Sequence, residues 1–454
     1  MTTLVYGLAI AGRSTVRALQ RRGVEVVAAD DEVDEDRRTF AADAGIELIE
    51  APEGETLRAL LDRCDQLCPS PGVPEWHRVV EAADATRIPL VTELELAYRW
   101  EQERAGGPRP MLAVTGTDGK TTTTLLAVEM LRAAGLRAID AGNTDTPLVD
   151  AIEMDLDAFV VECTSFRLAF APTFRADAAV WLNLAPDHLD WHRSLDSYEL
   201  AKASVFRNQI ATDVAIGFVD DAVVMRHLGE APGRRRTFGL RSADYRLEAR
   251  AGDEWLVGPS GPIAPRRAMA RDLPHDVTNS LAAAALVLET GLADGAAIEQ
   301  VLGRFEGPPH RLAKIGEWND VAWYDDSKAT TPHAAATAIA GFERVVLIAG
   351  GYDKRVDLSP MAVAQDRLRA LVANGATGPA LAALFDRVEQ NVVVETLADA
   401  VRTAHQIAQP GDTVLLSPGC ASFDQFSGFG ARGDAFIELA RDVHRRDLAP
   451  GGCS

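Results

Sequence analysis

The run Val114-Thr115-Gly116-Thr117-Asp118-Gly119-Lys120-Thr121-Thr122 holds the parts of a phosphate site. Glycines let backbone N–H groups turn inward around an anion, and a helix that starts there adds its positive end. The lysine reaches the terminal phosphates of a nucleotide, and the hydroxyl after it is a Mg²⁺ ligand. Residues 111–114 are apolar and read as a strand leading in; residues 123–131 read as a helix leading out. Val114 stands at the usual leading glycine of a Walker A loop, so this is a shortened form. Thr115 through Thr122 are therefore expected to cradle ATP or GTP.

A second cluster follows the strand-like run 178–182. In Asn183-Leu184-Ala185-Pro186-Asp187-His188-Leu189-Asp190-Trp191-His192, two acids and two histidines fall where α/β proteins place their sites, past the C-terminal end of a strand. Glu162 closes another strand-like run, 159–162. A hard cation prefers oxygen ligands, and an acid at that location resembles the metal-holding acid of P-loop enzymes.

Three blocks of alternating strand and helix patterns must position these residues. The first, 1–100, opens with a strand over 4–8, a helix from Ser14 to Arg21 and a strand ending at Asp30-Asp31. This is a βαβ unit with an acid at the end of its second strand; Gly7 and Gly12 are the outer glycines of the dinucleotide fingerprint. Residues 101–110, charged and then rich in Gly and Pro, read as a linker. The second block, 111–307, ends in an Ala-rich helix from Thr278 to about Thr290, and Gly307-Pro308-Pro309 marks the boundary to the third, 308–454. The expected fold is α/β in three domains: Rossmann-like, then P-loop ATPase-like with a mainly parallel sheet, then Rossmann-like. Residues 231–272 are Arg-rich and irregular, and read as solvated surface.

A chain of 454 residues is too long for one core. Its net charge of −21 argues against nucleic acid and anionic membranes as partners. No apolar run has membrane-spanning length, and Met1-Thr2-Thr3-Leu4 lacks the basic start of a secretory signal. Cysteines at 64, 68, 163, 420 and 453 show no paired CxxC spacing, and their odd number fits reduced thiols in the cytoplasm. Without a coiled-coil stripe, a monomer is expected.

Together, the P-loop, Gly142-Asn143, Glu162-Cys163-Thr164-Ser165-Phe166-Arg167-Leu168 and the run from Asn183 to His192 resemble the Mur ligase family. Asp325-Asp326-Ser327-Lys328-Ala329-Thr330 and Ser417-Pro418-Gly419-Cys420-Ala421-Ser422-Phe423-Asp424-Gln425-Phe426 resemble its branch that adds D-glutamate to UDP-N-acetylmuramoyl-L-alanine. The resemblance spans all three blocks. It implies ATP-dependent amide synthesis, in which a carboxylate becomes an acyl phosphate and an amine displaces phosphate. It also implies two Mg²⁺ ions, which with Lys120 offset the repulsion between carboxylate and triphosphate.

Residue by residue, the resemblance implies metal ligands at Thr121, Glu162, His188 and a carbamylated Lys202, which the sequence alone reads as an exposed helical lysine. Asn279 matches an adenine contact, Arg311 a phosphate contact and Asp326 a ribose contact. Ala11, Gly12, Arg13 and Asp30, with Ser70-Pro71-Gly72, match the uridine-diphosphate site, and Asn143 and His188 the muramoyl site. Thr330, Lys354, Ser422 and Phe429 match the D-glutamate site. With Lys120 and Arg311 on different blocks, domain closure on ATP is expected. The chain departs from the family at Asp118, Asp276 and Thr331, where the family has Asn, at Cys163-Thr164 for Leu-Ser, at Arg167 for Gln, and at Tyr352-Asp353 for Asp-Gly. These departures bear on the amino acid chosen. A related ligase using L-glutamate or another amino acid, folylpolyglutamate synthase, and a binding-only relative are the competing readings.

Overall fold

Met111–Thr115 is buried along its whole length, and its side chains divide between two cores. Met111 and Ala113 enter the one that contains Phe159 and Trp181; Leu112 and Val114 enter the one that contains Leu126, Met130 and Leu281. A strand covered on both faces needs an apolar run rather than an alternating one, and that is what the sequence supplies. The computed structural model describes residues 1–250, 252–353 and 356–447. They form two compact units, Met1–Phe305 and Glu306–Ser454.

The first unit carries three sheets. The N-terminal one comprises β1 (Thr2–Tyr6), β2 (Glu25–Asp30), β3 (Glu47–Glu50) and β4 (Gln66–Pro69), all parallel, in the order β3-β2-β1-β4. The second comprises β5 (Met111–Thr115), β6 (Ala138–Gly142), β7 (Ala158–Glu162), β8 (Ala178–Trp181), β9 (Val214–Phe218) and β10 (Arg234–Phe238). It too is parallel throughout, in the order β10-β9-β8-β5-β7-β6. From β5 the chain passes to β6 and β7 on one side and then crosses to β8 on the other, so the C-terminal end of β5 is a topological switch point, where α/β sheets open a crevice.

Residues 231–272 are not irregular. After β10 they form an antiparallel sheet of β11 (Arg246–Arg250), β12 (Asp253–Gly258) and β13 (Gly261–Pro265). Arginines of this region face acids of the same unit: Arg236 and Arg234, on β10, meet Glu289 at 2.6 and 3.3 Å, and Arg267, just after β13, meets Asp253 at 3.1 Å. The sequence reading missed this because the strands are short and their charges pair across chain distances that no local pattern records.

The stretch read as a linker is also pinned. Glu101 ends up buried in the helix Glu93–Gln102, and its carboxylate accepts from Arg109 Nε at 2.8 Å, Nη2 at 2.7 Å and the backbone N–H at 2.9 Å. Arg109 also donates to the carbonyls of Ile152 and Met154. Removing one partner strands the other charge in the interior. Glu101→Ala is therefore expected to destabilise this unit by about 3–5 kcal/mol, measured as a lower midpoint of chemical denaturation. An unchanged midpoint would return 101–110 to the status of a loose tether.

The second unit holds one sheet: β14 (Ala313–Trp318), β15 (Val321–Asp325), β16 (Val345–Gly350), β17 (Leu368–Asn374), β18 (Gln390–Val393) and β19 (Thr413–Leu416). Its order is β14-β15-β19-β16-β17-β18, parallel except for the β14–β15 hairpin. The expected α/β class with mainly parallel sheets is borne out. Among the described residues, no helix is long and apolar enough to cross a membrane.

Candidate active site

The P-loop leaves β5 at Thr115 and enters the helix Lys120–Ala133 through Gly119, whose φ of 84° lies in the left-handed region. A Cβ there would sit 2.6 Å from Asn279 Oδ1, so glycine is required twice, by conformation and by space. Asn279 reaches this point because its helix, Pro274–Glu289, packs in the same core as Lys120–Ala133. Its Oδ1 also accepts from Thr123 Oγ1 at 3.3 Å.

The loop's shape depends on a residue the sequence reading left without a role. Asn183, just past β8, accepts at Oδ1 from the N–H groups of Thr117 (2.9 Å) and Asp118 (2.8 Å), and donates from Nδ2 to the Asp118 carbonyl at 3.2 Å. Tyr198 is a second such residue: its hydroxyl lies 2.9 Å from Thr117 Oγ1. The available signal was its i, i+4 spacing from Lys202, which puts both on one face of the helix Leu195–Arg207.

Lys202 is not exposed. It is 1 % accessible, and its Nζ donates to the Gly116 carbonyl at 2.6 Å while lying 4.5 Å from the Tyr198 ring centre. Lys120 Nζ donates to the same carbonyl at 2.9 Å, and to that of Thr117 at 2.7 Å. Two ammonium groups on one acceptor repel. Burial, and then Lys120, hold the Lys202 pKa well below the ordinary lysine value, favouring a neutral amine.

Glu162 ends β7 and is buried. Its Oε1 accepts from Asn143 Nδ2 at 2.9 Å, whereas Oε2 has no hydrogen-bond partner among the described residues. An orphaned buried carboxylate oxygen fits a cation ligand. Asn143 follows β6; a Cβ on the preceding Gly142 would come within 2.7 Å of the Glu162 carbonyl, so glycine permits the approach. No three His, Cys, Asp or Glu side chains cluster as a ready metal site among the described residues. A cation held at Glu162 would complete its shell with other oxygens, from hydroxyls, substrate or water.

The two histidines after β8 part company. His188 has a positive φ of 53°, is half exposed, and lies 3.3 Å from Asp187 Oδ2. Burial lowers its pKa against the opposing pull of Asp187, which leaves the imidazole available as a neutral ligand. His192 is buried between Glu75 Oε1 and Ser165 Oγ, each 2.9 Å away, and serves the packing instead.

At the N-terminal sheet, Gly7, Gly12 and Ser70 meet: Ser70 Oγ donates to the Gly7 carbonyl, and a Cβ on Gly12 would collide with that same carbonyl. This joins the turn bearing Ala11-Gly12-Arg13 to Ser70-Pro71-Gly72. Asp30 accepts from the Leu8 N–H at 2.7 Å and Arg37 Nε at 3.0 Å, so it braces the turn. Arg13 is partly exposed and donates to Asp36 and to the Leu8 carbonyl.

In the second unit, Asp326 is buried and accepts from Ser417 Oγ at 2.7 Å and the Leu312 N–H at 3.2 Å; burial raises its pKa to about 7. Arg432, missed in the sequence, clips the runs 325–330 and 417–426 together. It donates from Nε to Ser327 Oγ (2.9 Å), from Nη2 to the Ser327 carbonyl (2.8 Å) and from Nη1 to the Cys420 carbonyl (3.1 Å). Ser327 Oγ in turn donates to the Phe429 carbonyl. Ser422 is buried, Phe429 is 40 % exposed, and Thr330 lies in the turn that follows β15. Lys354 lies outside the described residues.

Comparison with known proteins follows the same lines. The Mur ligase middle domain matches residues 114–287, and the Mur ligase glutamate ligase domain matches residues 310–420. A protein of Frankia casuarinae named UDP-N-acetylmuramoylalanine--D-glutamate ligase is 40% identical, covering 97% of this chain and 94% of its own length. A protein of the same name from Streptomyces coelicolor is 34% identical, covering 97% of each. Among solved structures, the MurF ligase of Thermotoga maritima in complex with ADP aligns with a TM-score of 0.61 over 97% of this chain and 98% of that one. At 15% identity, that likeness speaks for the fold alone.

Proposed function

The chain belongs to the Mur ligase family, and we propose on that premise that it joins D-glutamate to UDP-N-acetylmuramoyl-L-alanine with hydrolysis of ATP to ADP and phosphate. The observation that carries this reading is the near-full-length likeness to relatives of that name. The alanyl carboxylate attacks the γ-phosphorus, ADP leaves, and an acyl phosphate forms. The amine of glutamate then adds to the acyl carbon, the tetrahedral adduct expels phosphate, and an amide remains.

Each part of this chain has a task in that sequence. The backbone N–H groups from Thr115 to Thr122, shaped by Asn183, hold the triphosphate. Lys120 releases its loop carbonyls and neutralises charge on the transferring phosphoryl group. Asn143 and His188 orient the muramoyl carboxylate. Thr121, Glu162, His188 and Lys202 would hold two Mg²⁺ ions. Bound there, Mg²⁺ supplies the charge that lets two anions approach. The orphaned Glu162 Oε2 and the neutral Lys202 amine, which can add CO₂ to become an anionic oxygen donor, support this set. Ala11, Gly12, Arg13, Asp30 and Ser70-Pro71-Gly72 are assigned to the uridine diphosphate. Asn279, Arg311 and Asp326 are assigned to the nucleotide, and Thr330, Ser422 and Phe429 to the amino acid. The net charge of −21 supports an enzyme that ignores nucleic acid and anionic membranes; that it is a cytoplasmic monomer is part of the same proposal.

Phosphate release from ATP, Mg²⁺ and UDP-N-acetylmuramoyl-L-alanine is expected with D-glutamate and not with L-glutamate or other amino acids. Release with a different amino acid would move the specificity while keeping the chemistry. No release with any of them, from protein that still binds ATP, would overturn the reading in favour of binding without turnover.

A further inference from the structure

Arg167 stands where the family has glutamine, and it is buried. Its Nε donates to Glu93 Oε1 at 3.0 Å, an ion pair with both side chains at least nine-tenths buried. Glu93 is held in turn by the Val149 N–H at 3.3 Å. From this anchor, Arg167 Nη1 donates to Asn143 Oδ1 at 2.8 Å. A guanidinium offers donors only, so the amide oxygen of Asn143 must face it. The amide nitrogen is thereby directed at Glu162, where Nδ2 meets Oε1 at 2.9 Å. Of the two Glu162 carboxylate oxygens, Oε2 is the one left without a hydrogen-bond donor among the described residues. A glutamine at 167 could present either its oxygen or its nitrogen and would not impose this order.

Building on the reading above, we propose that Arg167 is a positioning residue: anchored by Glu93, it sets the Asn143 amide, and through it the single oxygen that Glu162 offers to a metal ion. Residues of this rank, one shell behind a ligand, typically change metal affinity or activity by about 10–100-fold when removed. Arg167 acts on the reaction only through Asn143, so its effect vanishes when Asn143 is already gone.

The test is a cycle of four proteins: wild type, Asn143→Ala, the pair Glu93→Gln/Arg167→Met, and the triple variant. The paired change avoids leaving the Glu93 charge buried alone. Two quantities are read: kcat and KM for the UDP substrate, and the factor by which Mg²⁺ tightens ADP binding, measured by calorimetry. The paired variant is expected to lose at least about tenfold in kcat/KM and most of the Mg²⁺ factor, at a melting temperature close to wild type. The triple variant is expected to match Asn143→Ala in both. Losses that add in the triple variant, or an unaltered Mg²⁺ factor in the paired variant, would overturn the proposal. The calorimetric arm stands without turnover: an inactive wild type whose Mg²⁺ factor still depends on Arg167 through Asn143 would sink the ligase reading and leave this one in place.

Discussion

Lys120→Ala is expected to lower ATP-dependent phosphate release by at least about 10³-fold, with little change in melting temperature. The asymmetry follows from where the amine sits. In the structure Lys120 Nζ donates to two loop carbonyls, of Gly116 and Thr117, from a half-buried position, so its loss opens no core cavity. On the proposed reading, the same amine turns to the terminal phosphates, where charge builds as the phosphoryl group moves to the alanyl carboxylate. A donor aimed at developing charge in a water-poor site is worth several kcal/mol to the transition state and far less to the ground state. Turnover should therefore collapse while ADP binding weakens only modestly. A phosphate-release assay beside calorimetric ADP titration separates the two. Turnover within tenfold of wild type would remove Lys120 from the chemistry and the P-loop assignment with it.

What could be read from the sequence was local, and what could not was long-range. The P-loop was legible because its parts are consecutive: strand, glycines, lysine, hydroxyl and helix follow each other in the chain. Glu162 at the end of its strand and His188 beyond the next were legible because those strands are apolar runs, whereas the strand before Asn143, interrupted by Asp140, was not read. Lys202 reads as exposed because a lysine is normally solvated; Tyr198, Val205 and Phe206 at i−4, i+3 and i+4 mark its face as the buried one, and its acceptor, the Gly116 carbonyl, lies far back in the chain. The 101–110 stretch looked like a tether because Gly and Pro mark loops, but Glu101, Arg109 and the carbonyls of Ile152 and Met154 tie it down across a turn and a helix. Arg13 suits a diphosphate by type and position; in the structure it donates to Asp36 and the Leu8 carbonyl, a pairing the sequence does not announce. Arg432 had no local signal at all, since Ser327 and the Cys420 carbonyl become its partners only once the second unit's sheet brings their loops together.

Lys202→Met is expected to abolish turnover while leaving the melting temperature at neutral pH equal to or above that of the wild type. Burial and Lys120 depress the pKa of Lys202 in the folded state, so between that value and the ordinary lysine value the unfolded chain binds the extra proton. Stability is complete above the unfolded pKa and declines as pH falls through the window toward the folded one. Methionine binds no proton and fills a similar volume, so the variant escapes this decline and its melting temperature changes less with pH. A residue that costs stability where it sits is retained for what it does, and here a neutral amine can do something an ammonium cannot. On the proposed reading it adds CO₂, forming an N–C bond and releasing one proton, and becomes a carboxylate-like oxygen donor at the P-loop. Enzyme stripped of CO₂ should accordingly lose activity and regain it with bicarbonate, and ¹³C-labelled bicarbonate should give a carbamate resonance in wild type that Lys202→Met lacks. Full activity in CO₂-free buffer would reject the carbamate. A Lys202→Met protein that still turns over would reject any catalytic part for this side chain, and a melting temperature well below wild type would show that the amine's bond to the Gly116 carbonyl outweighs the strain of burying it.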